Sequence, residues 1–256
     1  MPGGRGHPGH AGRMPDLPPS EARRAAAMTV LTVISGAVDA VSFLTLGKVF
    51  CALVTGNVLF LSFALAGEGD VPVERAATAV AAFAAGAALG ALTLAGLAAR
   101  ARPWFVAGLA GEGLLLVASG AVALGRRGLA EAVDHTDYVV IGGVALAMGL
   151  RASTALRMHV PGMPTLLSQT ALAQLVNDLL NRPLTADGRA PRHRLLARSR
   201  WAATVLGIFA GGVLGTWLLV PLGPGRALIV IGAAVLTFAA ACHVALLRRE
   251  DMGART

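Results

Sequence analysis

Apolar runs of about 20 residues alternate along the chain with short polar or charged segments. Six runs have the length that a helix needs to cross a bilayer, about 20 residues. Two others are shorter, and at 1.5 Å of rise per residue they predict helices of roughly 24 Å and 18 Å. The pattern predicts an all-α, polytopic membrane helix bundle. The long runs are about 25–47, 76–98, 103–124, 138–156, 201–222 and 227–247, and the short runs are 51–66 and 165–176.

The eight runs form two sets with the same order: one long helix, one short polar-marked segment and two long helices. This order predicts two internal repeats, the first over residues 25–124 and the second over residues 138–247. The third element of each set carries small residues four positions apart, a spacing that lets helices approach closely and that serves a monomer core or an oligomer. These glycines are Gly86 and Gly90 in the first repeat and Gly207, Gly211 and Gly215 in the second.

The two short segments leave two topologies open. If they re-enter the membrane and turn back, the chain has six spans and inverted repeats; if they cross, it has eight spans and parallel repeats. Their short length and the polar residues of the second favour six spans plus two re-entrant or broken segments. In both topologies a cytoplasmic N-terminus puts the Arg-rich loop 181–200 in the cytoplasm, as the positive-inside rule requires. The same holds for the C-terminal tail 248–256. Residues 1–24, rich in Pro, Gly and Arg, predict a disordered cytoplasmic tail.

Composition supports an integral membrane protein. The 256 residues are 55% hydrophobic and only 14% charged, against about 25% charged in soluble domains. The formal net charge is +8, and Lys48 is the one lysine among 22 basic residues. Because basic residues gather in loops that stay cytoplasmic, this charge indicates a multi-pass protein of the inner (cytoplasmic) membrane. The expected partner is therefore the lipid bilayer and not nucleic acid.

Few residues offer chemistry of the enzymatic kind. Cys51 and Cys242 lie in separate apolar segments, and their spacing fits neither a disulfide framework nor a metal site. The sequence carries no His, Cys and carboxylate cluster with ligand spacing, no nucleophile–base pair and no phosphate-binding or dinucleotide motif. We therefore expect no enzyme activity, no cofactor and no metal, and we interpret Cys51 as a packing residue.

Four ionisable residues lie inside the apolar runs or the short segments. A charge at the bilayer centre costs about 2.5–3.5 kcal/mol even on the most permissive scale. One interpretation is that these residues line a solute pathway or take up protons; the other is that they pair inside the bundle and only fix helix orientation. Both predict that the two central carboxylates face the interior. The four residues are Asp39, Glu112, Arg151 and Asp178.

The first short segment carries Thr55, Gly56 and Asn57 in a row, which is costly in a plain spanning helix because glycine loses about 1 kcal/mol of helix propensity against alanine. At the start of a half-helix these residues can cap free amides and let the backbone turn. The second short segment carries Ser168, Gln169 and Thr170 at the corresponding place. Discontinuous helices in corresponding positions of two repeats indicate a transport site. The alternative is a packing notch, in which Gly56 admits a neighbour and Asn57 bonds to it.

The stretch "SGAVDAVSFLTLGKVFCALVTGNVLFLSFALA" resembles the signature of the YoaK-type bacterial inner-membrane proteins, a domain-of-unknown-function family. The matching residues are Gly36, Asp39 and the Thr55-Gly56-Asn57 motif. In the second half, Met148-Gly149-Leu150 and the Pro- and Thr-containing segment 161–170 also match. The chain departs from the family pattern at Arg151-Ala152 and at Ser168-Gln169-Thr170. The resemblance extends over nearly all of the chain after residue 24 and implies a six-span membrane protein without an assigned activity.

Together these features predict a small secondary transporter or channel for a small polar or anionic solute. The alternative is a non-transporting membrane scaffold or partner subunit whose buried polar residues only lock the bundle. An uptake or current assay in liposomes separates the two. The predicted substrate-binding residues are Asp39, Thr55, Gly56, Asn57, Glu112, Arg151, Ser168, Gln169 and Thr170.

Overall fold

The computed structural model describes residues 19–68, 73–124, 135–158, 168–180 and 192–253. All of the regular elements in these ranges are α-helices, and five of them are long and apolar enough to cross a membrane. The predicted all-α polytopic fold class is confirmed. The helices are α1 (Pro19–Thr45), α2 (Val54–Leu65), α3 (Val73–Ala99), α4 (Trp104–Val122), α5 (His135–Met158), α6 (Ser168–Leu180) and α7 (Arg192–Gly253).

The predicted runs match these helices closely at their centres and differ at their ends. Helix α1 begins at Pro19, inside the predicted N-terminal tail, and α7 continues to Gly253, inside the predicted C-terminal tail. The two short helices have 12 and 13 residues, which is about 18–20 Å of helix against a hydrocarbon core of about 30 Å.

Helix α7 contains two arms that meet at Gly223, where the backbone is non-helical (φ 72°, ψ 173°) between Pro221 and Pro224. Proline removes an intrahelical hydrogen bond, and only glycine adopts this positive φ freely. The break therefore lies between the two apolar runs 201–222 and 227–247 that the sequence predicts as separate spans.

The two arms do not continue as one straight helix. Gly211 of the first arm lies against the carbonyl oxygen of Val33 in α1, and Gly232 of the second arm lies against the carbonyl of Gly113 in α4. A continuous helix would separate Gly211 and Gly232 by about 31 Å. Their contact partners, Val33 and Gly113, are much closer together than that. Val33 is a neighbour of Leu31 and Ser35 on α1, and Gly113 follows Glu112 on α4. The Arg151 side chain hydrogen-bonds to Leu31, Ser35 and Glu112 at once. The arms must therefore turn back at Gly223.

Glycine contacts hold the bundle together along two lines, which we call the first and second seams. In the first seam, α1 packs against the first arm of α7, and the contacts pair Thr32 with Gly207 and Ala37 with Gly215. Because both residue numbers rise together, these two helices run parallel. This stripe of glycines therefore serves the monomer core; an oligomer through the same residues stays a prediction.

The second seam joins α3 to α5. Gly86 lies against the Leu146 carbonyl and Gly90 against Leu150, so these helices are also parallel. Backbones approach this closely only where no side chain intervenes, which is how helices associate in lipid without a hydrophobic driving force.

We expect Gly211→Ala to destabilise the protein, because its Cβ would overlap the Val33 carbonyl oxygen in the first seam. Overpacking of this kind costs about 1–3 kcal/mol. The matched control is Gly212→Ala, whose Cβ meets nothing within 4 Å and which gains up to about 1 kcal/mol of helix propensity. Thermal unfolding in detergent should place the first variant below the wild type and the second at or above it. Equal Tm values for the two variants would contradict the seam.

Candidate functional site

A buried ion pair lies at the centre of the bundle. Glu112 of α4 is 0% exposed and Arg151 of α5 is 4% exposed, and the guanidinium donates a hydrogen bond to the Glu112 carboxylate. The same guanidinium donates to the Ser35 hydroxyl at 2.9 Å and to the Leu31 carbonyl, both on α1. One arginine therefore links α1, α4 and α5.

Small residues let α4 and α5 come close enough for this pair. Gly111 and Gly113 flank the glutamate; Gly111 faces the side chain of Leu150, and Gly108 faces Thr154 one turn away. Residue numbers fall along α5 as they rise along α4, so the two helices are antiparallel. The glycines place a charged residue of each helix at the contact.

The pair is not fully satisfied by the residues that the structure describes. Glu112 Oε2 and Arg151 Nε are both buried and have no hydrogen-bond partner among them. A buried polar atom without a partner costs about 1–3 kcal/mol, and more where it is charged. The pair therefore has one acceptor and one donor without a partner among the described residues.

Asp39 of α1 lies 6% exposed and serves the start of α2. Its carboxylate accepts hydrogen bonds from the backbone amides of Ala52 at 2.7 Å and Leu53 at 3.0 Å, immediately before the first residue of α2. A helix N-terminus carries partial positive charge and free N–H groups. Asp39 therefore supplies an anionic group to the two amides that lead into α2.

The Thr55-Gly56-Asn57 motif closes the turn between α1 and α2. The buried Asn57 side chain accepts a hydrogen bond from the Phe50 amide at 3.0 Å and donates one to the Phe50 carbonyl. A Cβ on Gly56 would lie 2.9 Å from the Phe50 ring, whereas Thr55 is exposed. These contacts favour the packing interpretation for Asn57 and Gly56; their role in binding a solute stays a prediction.

The structure brings Asp39, Glu112 and Arg151 together around α1, since Ser35 and Asp39 are one turn apart on the same face of that helix. Both carboxylates are buried, as the sequence predicts. The second half-site is placed only in part. Ser168, Gln169 and Thr170 form the first turn of α6, but their side chains and that of Asp178 lie outside the described residues, as does the whole of segment 159–167.

Sequence reasoning missed a fourth buried charge, Arg75 at the start of α3, which is 7% exposed. Gly47, just after α1, has a φ of 87° and no side chain, and Arg75 lies where its Cβ would be. The predicted span begins at residue 76, which leaves this arginine in the preceding loop. An arginine at the C-terminal end of a helix interacts favourably with the carbonyl groups there. The sequence feature that could have indicated this contact is Gly47, which leaves space for the arginine side chain.

Residues 27–242 match the family described as "Protein of unknown function (DUF1275)". The chain belongs to this family. One similar relative is the "UPF0700 transmembrane protein YoaK" of Bacillus subtilis (strain 168), 25% identical over 156 residues, which are 60% of this chain and 67% of that protein. No solved structure matches the chain. The resemblance to the YoaK-type family is confirmed, and the protein is a multi-pass membrane protein of this family.

Replacing Asn57 should lower the stability of the solute-free protein. Asn57→Ala leaves the amide and carbonyl of Phe50 without their partners, at about 1–3 kcal/mol. Thr55→Ala is the matched control, because an exposed side chain in the same turn should change stability by no more than about 0.5 kcal/mol. Thermal melts in detergent compare the two. An Asn57→Ala variant that melts with the wild type would rule out the turn-closing role.

Proposed function

We propose that this protein is a small secondary transporter, and that a small anion fits its site better than the other polar solutes predicted from the sequence. The observation that carries the proposal is the buried Glu112–Arg151 pair with its free oxygen and free N–H group. Ionisable residues inside a membrane bundle mark solute and proton pathways by default.

Folding stability alone does not explain why the buried Glu112–Arg151 ion pair is present. Removing charges from water costs several kcal/mol for each ion, and apolar residues of the same volume often serve a buried position equally well or better. Glu112 and Arg151 are surrounded by such residues, including the fully buried Leu109, Leu116 and Met148. The pair therefore fits a function better than it fits packing.

Each positive group at the site is held by a carboxylate. Glu112 holds the Arg151 guanidinium, and Asp39 holds the amides at the start of α2. Both carboxylates occupy the places that the negative group of a solute would take. They act as internal substitutes for the solute, which keep the positive groups neutralised while no solute is bound.

Protonation of Glu112 allows the solute to replace its carboxylate on Arg151. When Glu112 takes up a proton, the guanidinium loses its counter-charge and can bind an anion in the same place. The proton and a monovalent anion together carry no net charge, so the buried charge of the site is the same before and after. Loss of the proton restores the carboxylate, which then competes with the anion for Arg151 and drives its release. This coupling is proton–anion symport.

Burial of both charged groups favours a transporter over an open channel. A solute reaches a fully buried site only after the helices around it move, whereas a channel needs a continuous aqueous path.

The alternative function is a non-transporting membrane scaffold, and one observation favours it. Arg151 donates to α1 and α4 together, and within the described residues Asn57 and Asp39 bond to backbone groups of the turn before α2. In a scaffold these bonds would serve only to fix the helices and the turn.

The location is part of the proposal. We place the protein in the inner membrane with both termini and the loop 181–200 in the cytoplasm, since this puts the arginine-rich segments on the side that the positive-inside rule assigns.

Proteoliposomes with a trapped pH dye test the transport. In the wild type, external addition of the transported anion from a panel of nitrate, phosphate and small sulfonates should acidify the lumen. Glu112→Gln keeps the shape of the side chain but carries no titratable proton, so it should lose the acidification that each anion causes. Protein-free liposomes are the control. A folded wild type that acidifies with none of these anions, or a Glu112→Gln variant that acidifies normally, contradicts symport.

A double substitution separates transport from scaffolding. Arg151→Ala alone leaves Glu112 buried and unpaired and should cost about 3–5 kcal/mol. Glu112→Leu with Arg151→Met removes both charges at similar volume and should recover most or all of that stability. In a transporter, the stable double variant should have no anion-driven proton flux. A double variant that unfolds as readily as Arg151→Ala would mean that the charges themselves hold the bundle, as the scaffold requires.

A further inference from the structure

The two seams repeat one another contact by contact. In the first seam Gly36 lies against the carbonyl of Ile208, and in the second Gly149 lies against the carbonyl of Phe83. Gly36 and Gly149 differ by 113 positions, and Phe83 and Ile208 differ by 125. These differences relate α1 to α5 and α3 to the first arm of α7.

A second pair of contacts gives the same two differences independently. Gly211 lies against the carbonyl of Val33, and Gly86 lies against the carbonyl of Leu146. Val33 and Leu146 differ by 113 positions, and Gly86 and Gly211 by 125. Unrelated helix pairs have no reason to share both values, so the seams are equivalent parts of two repeats.

The remaining long helices, α4 and the second arm of α7, contact each other reciprocally. Gly113 lies against Leu236, and Gly232 lies against Val117. Gly113 and Gly232 differ by 119 positions, and so do Val117 and Leu236. Exchanging α4 with the second arm of α7 therefore converts one contact into the other. Gly120 lies against Gly225, near the opposite end of each helix, which makes the pair antiparallel.

We propose that the two halves of the chain are an inverted repeat, related by an approximate two-fold axis that lies in the membrane plane and passes between Gly113 and Gly232. Exchange of antiparallel neighbours requires an axis perpendicular to them, whereas parallel repeats would place α4 and its counterpart in the same direction. Inversion also requires an odd number of crossings in each repeat. Each repeat therefore has three long spans, and α2 and α6 enter the membrane without crossing it.

The charges of the site do not follow this symmetry. The symmetry counterparts of the three charged residues are buried aliphatic residues. They are found by adding 113 to the number of Asp39 and 119 to that of Glu112, and by subtracting 113 from that of Arg151. These counterparts are Ala152, Ile231 and Val38. The axis thus relates one polar half-site to one apolar half-site, and within the described residues the Glu112–Arg151 pair has no symmetry counterpart.

Inversion gives that single site two equivalent routes of access, one along each seam. This step rests on the proposed transport function: opening one seam exposes the site to one side of the membrane, and opening its counterpart exposes it to the other. Inverted repeats that flank a fixed central site are the usual structural basis of alternating access.

Labelling of the two short turns that begin α4 and the second arm of α7 tests the inversion directly. Arg102 and Pro221 are exposed in these turns and differ by 119 positions. Arg102→Cys and Pro221→Cys are made singly on a background with Cys51→Ala and Cys242→Ala, and treated with an impermeant maleimide in sealed vesicles of both orientations. We expect the two cysteines to label from opposite sides. Labelling of both from the same side overturns the inverted repeat.

Disulfide formation tests the equivalence of the seams. A Cβ on Gly207 would lie 3.5 Å from the Cβ of Thr32, within the range that a disulfide bridges. The symmetry-related pair is Ala82 with Ala145. Oxidation should link Thr32→Cys to Gly207→Cys and also Ala82→Cys to Ala145→Cys. Thr32→Cys should not link to Ala82→Cys, because α1 and α3 do not touch within the described residues. A first pair that links while its counterpart does not would overturn the equivalence.

The same variants separate this inference from the transport proposal. If the wild type shows an anion-driven proton flux, each disulfide should abolish that flux and a reductant should restore it. A flux that continues with either seam locked overturns access along the seams. Opposite labelling of the two turns in a wild type that moves no anion would leave the inverted repeat in place and reject transport alone.

Discussion

The structure depends on one constraint: a guanidinium inside a membrane bundle must be neutralised and hydrogen-bonded by the protein around it. Arg151 meets this requirement with a carboxylate from α4 and two oxygen atoms from α1. Its partners fix the depth of three helices relative to one another. The same requirement makes the site responsive, because any change in the charge of Glu112 alters the balance that the arginine needs.

Glycine makes this constraint possible to satisfy. In lipid, helices gain little from burying apolar side chains against each other, so their association relies on close van der Waals contact and on hydrogen bonds. The two seams provide that contact at backbone distance. Between α4 and α5, Gly108 and Gly111 give the same close approach, and Arg151 and Glu112 meet there. Close packing of the helices at the glycines therefore holds the charged side chains in position.

The long helices could be predicted because their signal, apolar length, is a property of the chain alone. The interior position of Asp39 and Glu112 followed from the cost of exposing a carboxylate to lipid, and both are buried. The partners could not be predicted in the same way. Asp39 and Asn57 bond to the amides of Ala52 and Leu53 and to the backbone of Phe50. Backbone groups are the same in every residue, so no sequence pattern marks them.

The directions of the two arms of α7 could not be predicted from the sequence either. The sequence separates them at Pro221 and Pro224, but their direction depends on which neighbours they contact, and that information lies in the seams and in the Gly113–Gly232 contact. Order of elements alone allowed either parallel or inverted repeats. The proposal of an inverted repeat rests on the antiparallel contact of α4 with the second arm of α7.

The proposed symport requires that a bound anion takes the place of the Glu112 carboxylate on Arg151 while that carboxylate becomes protonated. Infrared difference spectroscopy of the protein in lipid, with and without an anion that raises its thermal stability, measures this directly. The anion should produce the C=O stretch of a protonated carboxylic acid in the wild type, and this band should be absent in Glu112→Gln. Anion binding with no such band, or with a band that persists in Glu112→Gln, would contradict it.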